Sequence, residues 1–269
     1  MTSWGQQHHI KKLTGYLYQT NEGGFCSLFN NLFYNWLICE KKKISLYCLD
    51  KPSPLSLNAP FFQPLLQPIP YLQFINYSNP SLKLIPNAEK TNLLYALSEK
   101  DICEKAKQFF QWTPSFASQL ATLPVTPTIG VHIRAGDKIT TKEMLAISID
   151  TYIQTIASLT KEPNPIVFVM SDTFQRIEEL KQRVREKGLK WEIHHFPPLS
   201  LKEHVQLEFN LQSKEEKYKS FLQFMSELQV MRECPSLVCS LSSNVGRWLY
   251  MVGKALQFKS VDIPKFSPI

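Results

Sequence analysis

The chain has 269 residues, 43% hydrophobic and 20% charged, the length of one large domain or two ordinary ones and enough to bury a core without disulfides. That composition excludes collagen, coiled coil and wholesale disorder, and no apolar run approaches the ~18 residues of a membrane-spanning helix. A net charge of +7 favours anionic partners without choosing among them.

In chain order, Met1 to Lys12 is polar and carries no apolar stretch of the kind that heads a secretory leader, so a cytoplasmic protein with reduced thiols is expected. TGYLYQ (14–19) alternates as a strand, the turn NEGG (21–24) breaks it, and FCSLFNNLFYNWLIC (25–39) has apolar residues at helical spacing. KKK (41–43) ends that helix and ISLYCLD (44–50) reads as a second strand, completing a βαβ unit. Eight of the 18 prolines fall between Pro52 and Pro86, which predicts irregular loop with one strand near Tyr71–Tyr77. One or two helices are expected over 89–112, and a linker over 113–127.

From residue 128 the alternation is regular. Strands are expected at TIGVHIR, NPIVFVMSD (164–172), LKWEIHHF and PSLVCSLSS, and helices at 148–159, 173–188, 215–234 and 244–257. Strict βα alternation predicts parallel, doubly wound sheets. The expected architecture is α/β with two Rossmann-like domains, 1–120 and 121–269, and a cleft between them. The six cysteines form no C-x-x-C pair and no zinc-finger spacing, so buried thiols are expected.

Three motifs stand at predicted strand ends, where open α/β sheets bind ligands. The first is VHIRAGDK (131–138), in which Arg134 offers a planar fork suited to a diphosphate. Gly136 permits a sharp turn, and Asp137 can orient Arg134, cap the turn or bond a sugar hydroxyl. The second is SLSSNVGR (240–247), where hydroxyls and the free N–H groups of a helix start form an anion site, or simply a helix cap. Arg247 would reinforce it or pair with a carboxylate. The third is Ser171-Asp172, which in isolation reads as a helix N-cap. Glu227, on a largely apolar helix, reads by itself as solvated. All six arginines lie at or after Arg134, so the second half is where a phosphate site is sought. P-loop, G-x-G-x-x-G, G-x-S-x-G and H-E-x-x-H patterns are all missing, so no metal is expected. The lysine run 41–43 reads as a solvated helix end, and nucleic acid is not an expected partner.

Together these motifs resemble a known superfamily. VHIRAGDK resembles the H-x-R-x-x-D-K segment of α1,6-fucosyltransferases and the H-x-R-R-G-D segment of α1,2-fucosyltransferases. PSLVCSLSSNVGRWLY is similar to the C-terminal phosphate loop of the α1,6 enzymes and of bacterial nodulation fucosyltransferases. VFVMSD is similar to their middle motif, and GGFCSLFNNLFYNWLIC to their glycine-bearing first loop and helix. The four matches follow in family order over residues 15–255.

The resemblance implies a GT-B fold and an inverting, metal-independent transfer of fucose from GDP-fucose to a hydroxyl of a glycan acceptor. It implies no cofactor beyond the co-substrate. By position, Arg134 would grip the β-phosphate, and His132 and Glu227 would address guanine, the family having Asp where Glu227 stands. Ser242 and Ser243 would bond phosphate oxygens, with Gly23 and Gly24 in the first loop. Asp137, Lys138 and Asp172 would support the phosphates, Arg134 and the sugar, and Glu143 would be the general base. Ala135 stands where the family has a second basic residue. Another nucleotide sugar on the same scaffold, or a non-catalytic nucleotide- or sugar-binding relative, is the alternative reading.

Overall fold

The computed structural model describes residues 14–19, 24–49, 62–75, 81–135, 146–199 and 211–267. The first part of the chain runs β1 (Gly15–Gln19), α1 (Phe25–Lys42), β2 (Ser45–Leu49), β3 (Leu72–Ile75), β4 (Lys83–Leu84), α2 (Asn87–Tyr95), α3 (Glu99–Phe109) and α4 (Pro114–Ala117). The second part runs β5 (Ile129–Ile133), α5 (Ile149–Leu159), β6 (Ile166–Ser171), α6 (Phe174–Glu186), β7 (Glu192–His194), α7 (Lys214–Glu233), β8 (Ser236–Cys239), α8 (Asn244–Val252) and β9 (Gln257–Ser260).

Local chemistry sets the helix ends. Lys43 closes α1 in a left-handed conformation, φ 57°. Ser98 and Ser148 cap α3 and α5 by accepting from Asp101 N and Thr151 N, and Ser213 with Glu216 forms a capping box on α7. Gly188, φ 66°, ends α6, with Gly188 N bonded to Arg185 O and Leu189 N to Val184 O.

Every pairing between these strands is parallel, in two sheets ordered β3-β2-β1-β4 and β7-β6-β5-β8-β9. In the second sheet the winding reverses between β5 and β8, the place where such sheets open a crevice beyond their carboxyl ends. Residues of β5 alternate between two layers. Ile129, Val131 and Ile133 pack with Ile149, Ile153 and Leu180 of α5 and α6. Gly130 faces α7, so closely that a Cβ there would lie 2.8 Å from Met231 Sδ and from Leu237 Cδ2.

The helix expected over 244–257 is shorter than its periodicity implied. It stops at Val252, and Gln257–Ser260 forms β9 beside β8. Lys254 N bonds Arg232 O and Leu256 N bonds Pro235 O, which turns the chain back to the sheet edge. The three-residue spacing of Ala255 and Phe258 fits a helix, but Ala255 stops short of β9 and Phe258 pairs with Leu237, so pairing with β8 overrides the local spacing.

The second half returns to the first through α8 and α7. Trp248 of α8 packs with Phe29, Phe110 and Trp112, at ring separations of 6.3, 5.6 and 6.1 Å. Each such pair adds about 0.5–1.5 kcal/mol to the area buried. Tyr34 of α1 bonds Met251 Sδ, Arg232 of α7 donates to Phe110 O at 3.0 Å, and Trp112 Nε1 donates to Gln229. One apolar cluster therefore runs from α1 to α8 beneath both sheets. All six cysteines are free, five of them buried. Among the described residues no helix is long and apolar enough to cross a membrane.

Candidate functional site

The carboxyl ends of β5 and β8 flank the reversal in the second sheet. Val131 lies opposite Val238, so the same register brings Arg134 level with Leu241, the start of the serine loop. β6 runs on the other side of β5, with Ile133 opposite Ser171, which sets Asp172 beside Arg134.

Arg134 Nη1 pairs with Asp172 Oδ2, and Ala135 N donates to Asp172 Oδ1 at 2.8 Å. Both side chains are largely shielded, 17% and 11% exposed. Asp172 therefore spends both oxygens on the end of β5. It is not the helix cap that Ser-Asp alone implied; Thr173 holds that position and makes no side-chain cap bond. A carboxylate bound to one edge of a guanidinium fixes the direction of its planar fork.

His132 is 2% exposed and lies on the Gly130 face of β5, toward α7. Burial, with Arg134 adding positive charge nearby, lowers its pKa to about 3. The ring is thus neutral, with one nitrogen a donor and the other an acceptor. Its Nδ1 has no partner among the described residues.

Glu227 lies one turn before Met231 on α7, and Met231 sits over Gly130. A helix connecting to a parallel strand runs antiparallel to it. One turn back along α7 therefore advances about two residues along β5, from Gly130 to His132. The helix thus carries Glu227 toward His132. Glu227 is half-buried, not solvated, and desolvation pushes its carboxyl up to about 7 despite a 3.1 Å bond from Gln223. The neighbouring Ser226 is structural: it accepts from Ala121 N and donates to Leu222 O.

The start of α1 reaches the same helix. Gly24 is its N-cap, without a side-chain bond, and Phe25 packs on Phe221 and Phe224 at 5.0 and 5.3 Å. Asn30, one turn further on, donates to Asn244 O at the start of α8 at 3.1 Å. Residues of the first sheet's helices thus touch both elements that bear Glu227 and the serine loop.

In that loop Ser243 caps α8 by accepting from Val245 N at 3.2 Å. Ser242 Oγ donates to Asp262 Oδ2 at 2.5 Å. Arg247 pairs with no carboxylate among the described residues; Nε and Nη2 donate to Leu241 O and Ser242 O at 3.1 and 3.2 Å. Asp262 escapes the sequence reading because it lies two residues beyond β9, a strand that the pattern of residues does not announce past the helix expected to end at 257.

The structure therefore gathers Gly24, His132, Arg134, Asp172, Glu227, Ser242 and Ser243 around the ends of β5, β6 and β8 and the helices beside them. Gly23, Asp137, Lys138 and Glu143 lie outside the described residues. Among the described residues no three His, Cys, Asp or Glu side chains stand close enough to hold a metal ion.

No protein-family model and no curated protein matches the chain. Solved structures do. NodZ alpha-1,6-fucosyltransferase co-crystallised with GDP is 13% identical with a TM-score of 0.56, covering 89% of this chain and 93% of that one. A mutant of Arabidopsis thaliana FUT1 in complex with GDP is 11% identical with a TM-score of 0.54, over 90% of this chain and 69% of that one. POFUT1 in complex with GDP is 10% identical with a TM-score of 0.52, over 93% and 99%. The fold is that of the GT-B fucosyltransferase structures, two parallel α/β sheets in one chain.

Proposed function

We propose that this chain is a glycosyltransferase that moves fucose from GDP-fucose to a hydroxyl of a glycan acceptor, with inversion and without a metal. Residues 121–269 serve the donor and residues 1–120 the acceptor. The observation that carries this reading is the shielded Arg134–Asp172 pair beside the reversal of the second sheet, with neutral His132 behind it. Among the structures with this fold, NodZ was co-crystallised with GDP and soaked with GDP-fucose, and the FUT1 mutant and POFUT1 are in complex with GDP.

In this reading the leaving diphosphate gains charge, which Arg134, Lys138 and the start of α8 at Ser243 offset, with Ser242 in the loop that leads into that start. Glu143 accepts the proton of the attacking hydroxyl, and Asp137 supports Arg134 and the sugar. Glu227, once ionised, accepts from N1–H and the exocyclic amine of guanine, and His132 completes the base contact. Gly23 and Gly24 line the opposite side.

The test is a calorimetric titration with GDP, UDP, ADP and CDP, with and without a chelator. Selective binding of GDP, unchanged by the chelator, is expected. Preference for UDP would keep the scaffold and change the donor. No response to any of the four would exclude a nucleotide-sugar enzyme.

Glu227 adds a pH signature. Its carboxyl titrates at about 7, so GDP affinity should rise roughly tenfold between about pH 6 and about pH 8 as the acceptor form fills. The unliganded protein responds in the opposite sense. The native state holds this proton above the ordinary value of 4.5, so the stabilisation is complete below 4.5 and lost as pH rises through about 7. Glu227→Gln should flatten the affinity profile and raise the melting temperature above pH 7. Parallel profiles for the variant and the wild type would remove Glu227 from the guanine site.

A further inference from the structure

The carboxylate of Asp262, just beyond β9, takes up most of the donors of the serine loop. It accepts from Ser240 Oγ, from Ser242 Oγ at 2.5 Å, from Leu241 N at 2.9 Å and from Ser242 N at 3.3 Å. Ser260 Oγ at 2.8 Å and Ile263 N at 2.6 Å complete the set. Two hydroxyls and two successive backbone amides form the kind of concave donor set that binds an anion. Here the anion is a side chain of the same chain, carried in by β9, whose Ser260 pairs with Cys239 of β8.

From the other side, Arg247 holds the carbonyls of the same two residues, Leu241 and Ser242. The Leu241–Ser242 segment is thus clamped through its amides by a carboxylate and through its carbonyls by a guanidinium. Burial would raise the Asp262 carboxyl, but the bonds from Ser240, Ser242, Ile263 and Ser260 outweigh it and hold it at about 2. Asp262 is therefore ionised at any working pH. A diphosphate placed on these donors would have to displace it and would meet its charge.

We propose that Asp262 is a positioning residue, an internal anion that takes the donors of Ser240, Leu241 and Ser242 and so aims Ser243 and the first turn of α8 at the diphosphate. Ser240 and Ser242 then shape the loop and do not themselves bind phosphate. The inference deepens the nucleotide-sugar reading above and rests on it.

The test is competition against a fluorescent GDP analogue, run on the full chain with GDP and with guanosine. Asp262→Asn should weaken GDP about tenfold, since small misplacements of a binding group have effects of that size or more. Guanosine, which lacks phosphate, should stay within about twofold, because Asp262 acts only through the phosphate loop. A general loss of structure would weaken both ligands together. Ser240→Ala provides a second variant should Asp262→Asn fold poorly. Ser240 is fully buried and its hydroxyl is donated to Asp262, so it acts through the loop and should show the same selective loss, smaller in size. An unchanged ratio of GDP to guanosine affinity in both variants overturns the proposal, as does a gain in GDP affinity, which would make Asp262 a competitor for phosphate. If the wild type itself fails to bind the analogue, the nucleotide reading fails; if it binds and the ratio stays flat, only the role of Asp262 does.

Discussion

Arg134→Ala is expected to lower GDP affinity by about two orders of magnitude and to destabilise the protein by about 3 kcal/mol. The two losses have separate causes. The guanidinium is the planar fork at the end of β5, and nothing that alanine offers can bridge two phosphate oxygens there. The second loss falls on Asp172, 11% exposed, a shielded carboxylate that loses its Arg134 partner and keeps the bond from Ala135 N. Arg134→Lys separates the effects: the charge next to Asp172 stays and most of the stability returns, while GDP binding stays weak because the fork is gone. Calorimetry and urea denaturation read the two quantities independently. Wild-type GDP affinity in Arg134→Ala would remove this residue from the donor site. Because Arg134 and Asp172 share one contact, the double variant Arg134→Ala/Asp172→Ala should be less destabilised than the sum of the singles.

The second large effect is expected at Gly246, in the first turn of α8. A Cβ there would lie 1.9 Å from Ser240 O and 2.8 Å from its carbonyl carbon. The obstacle is backbone, with no flexible side chain to give way. Gly246→Ala must push α8 off the serine loop, at about 3 kcal/mol or more. The same shift strains the Arg247 bonds to Leu241 O and Ser242 O, so nucleotide binding should fall with stability. Gly188 is the useful contrast. A Cβ at Gly188 meets nothing within 4 Å, but its φ is 66°, so Gly188→Ala should cost only about 1 kcal/mol, through backbone conformation alone. Equal melting temperatures for the two variants would show that the approach of α8 to Ser240 carries no weight.

Most of the helices and strands could be read from the chain, because their signals are local. The alternation in TGYLYQ, the helical spacing of FCSLFNNLFYNWLIC and the glycine that ends α6 each lie within one element. The grouping of Arg134, Asp172 and the serine loop could also be anticipated. In parallel sheets every strand's carboxyl end lies on one edge, so polar residues just past strands converge there. VHIRAGDK and PSLVCSLSSNVGR resemble fucosyltransferase motifs, and the fold matches that of solved fucosyltransferase structures.

What the residues could not settle alone depends on partners distant in sequence. Glu227 reads as solvated from its own helix, but it is half-buried, with α1 packed against that helix through Phe25 and Phe224. Asp172 looks like a cap until β5 and β6 pair and place Arg134 within reach. Asp262 carries no signal at all, because its role follows from β9 joining the edge of the second sheet and bringing a carboxylate back to a loop 20 residues earlier. Local propensity and periodicity thus determined which segments fold into which elements. Burial, pairing of opposite charges and the filling of hydrogen-bond donors are properties of surfaces brought together, and only the tertiary structure decided those.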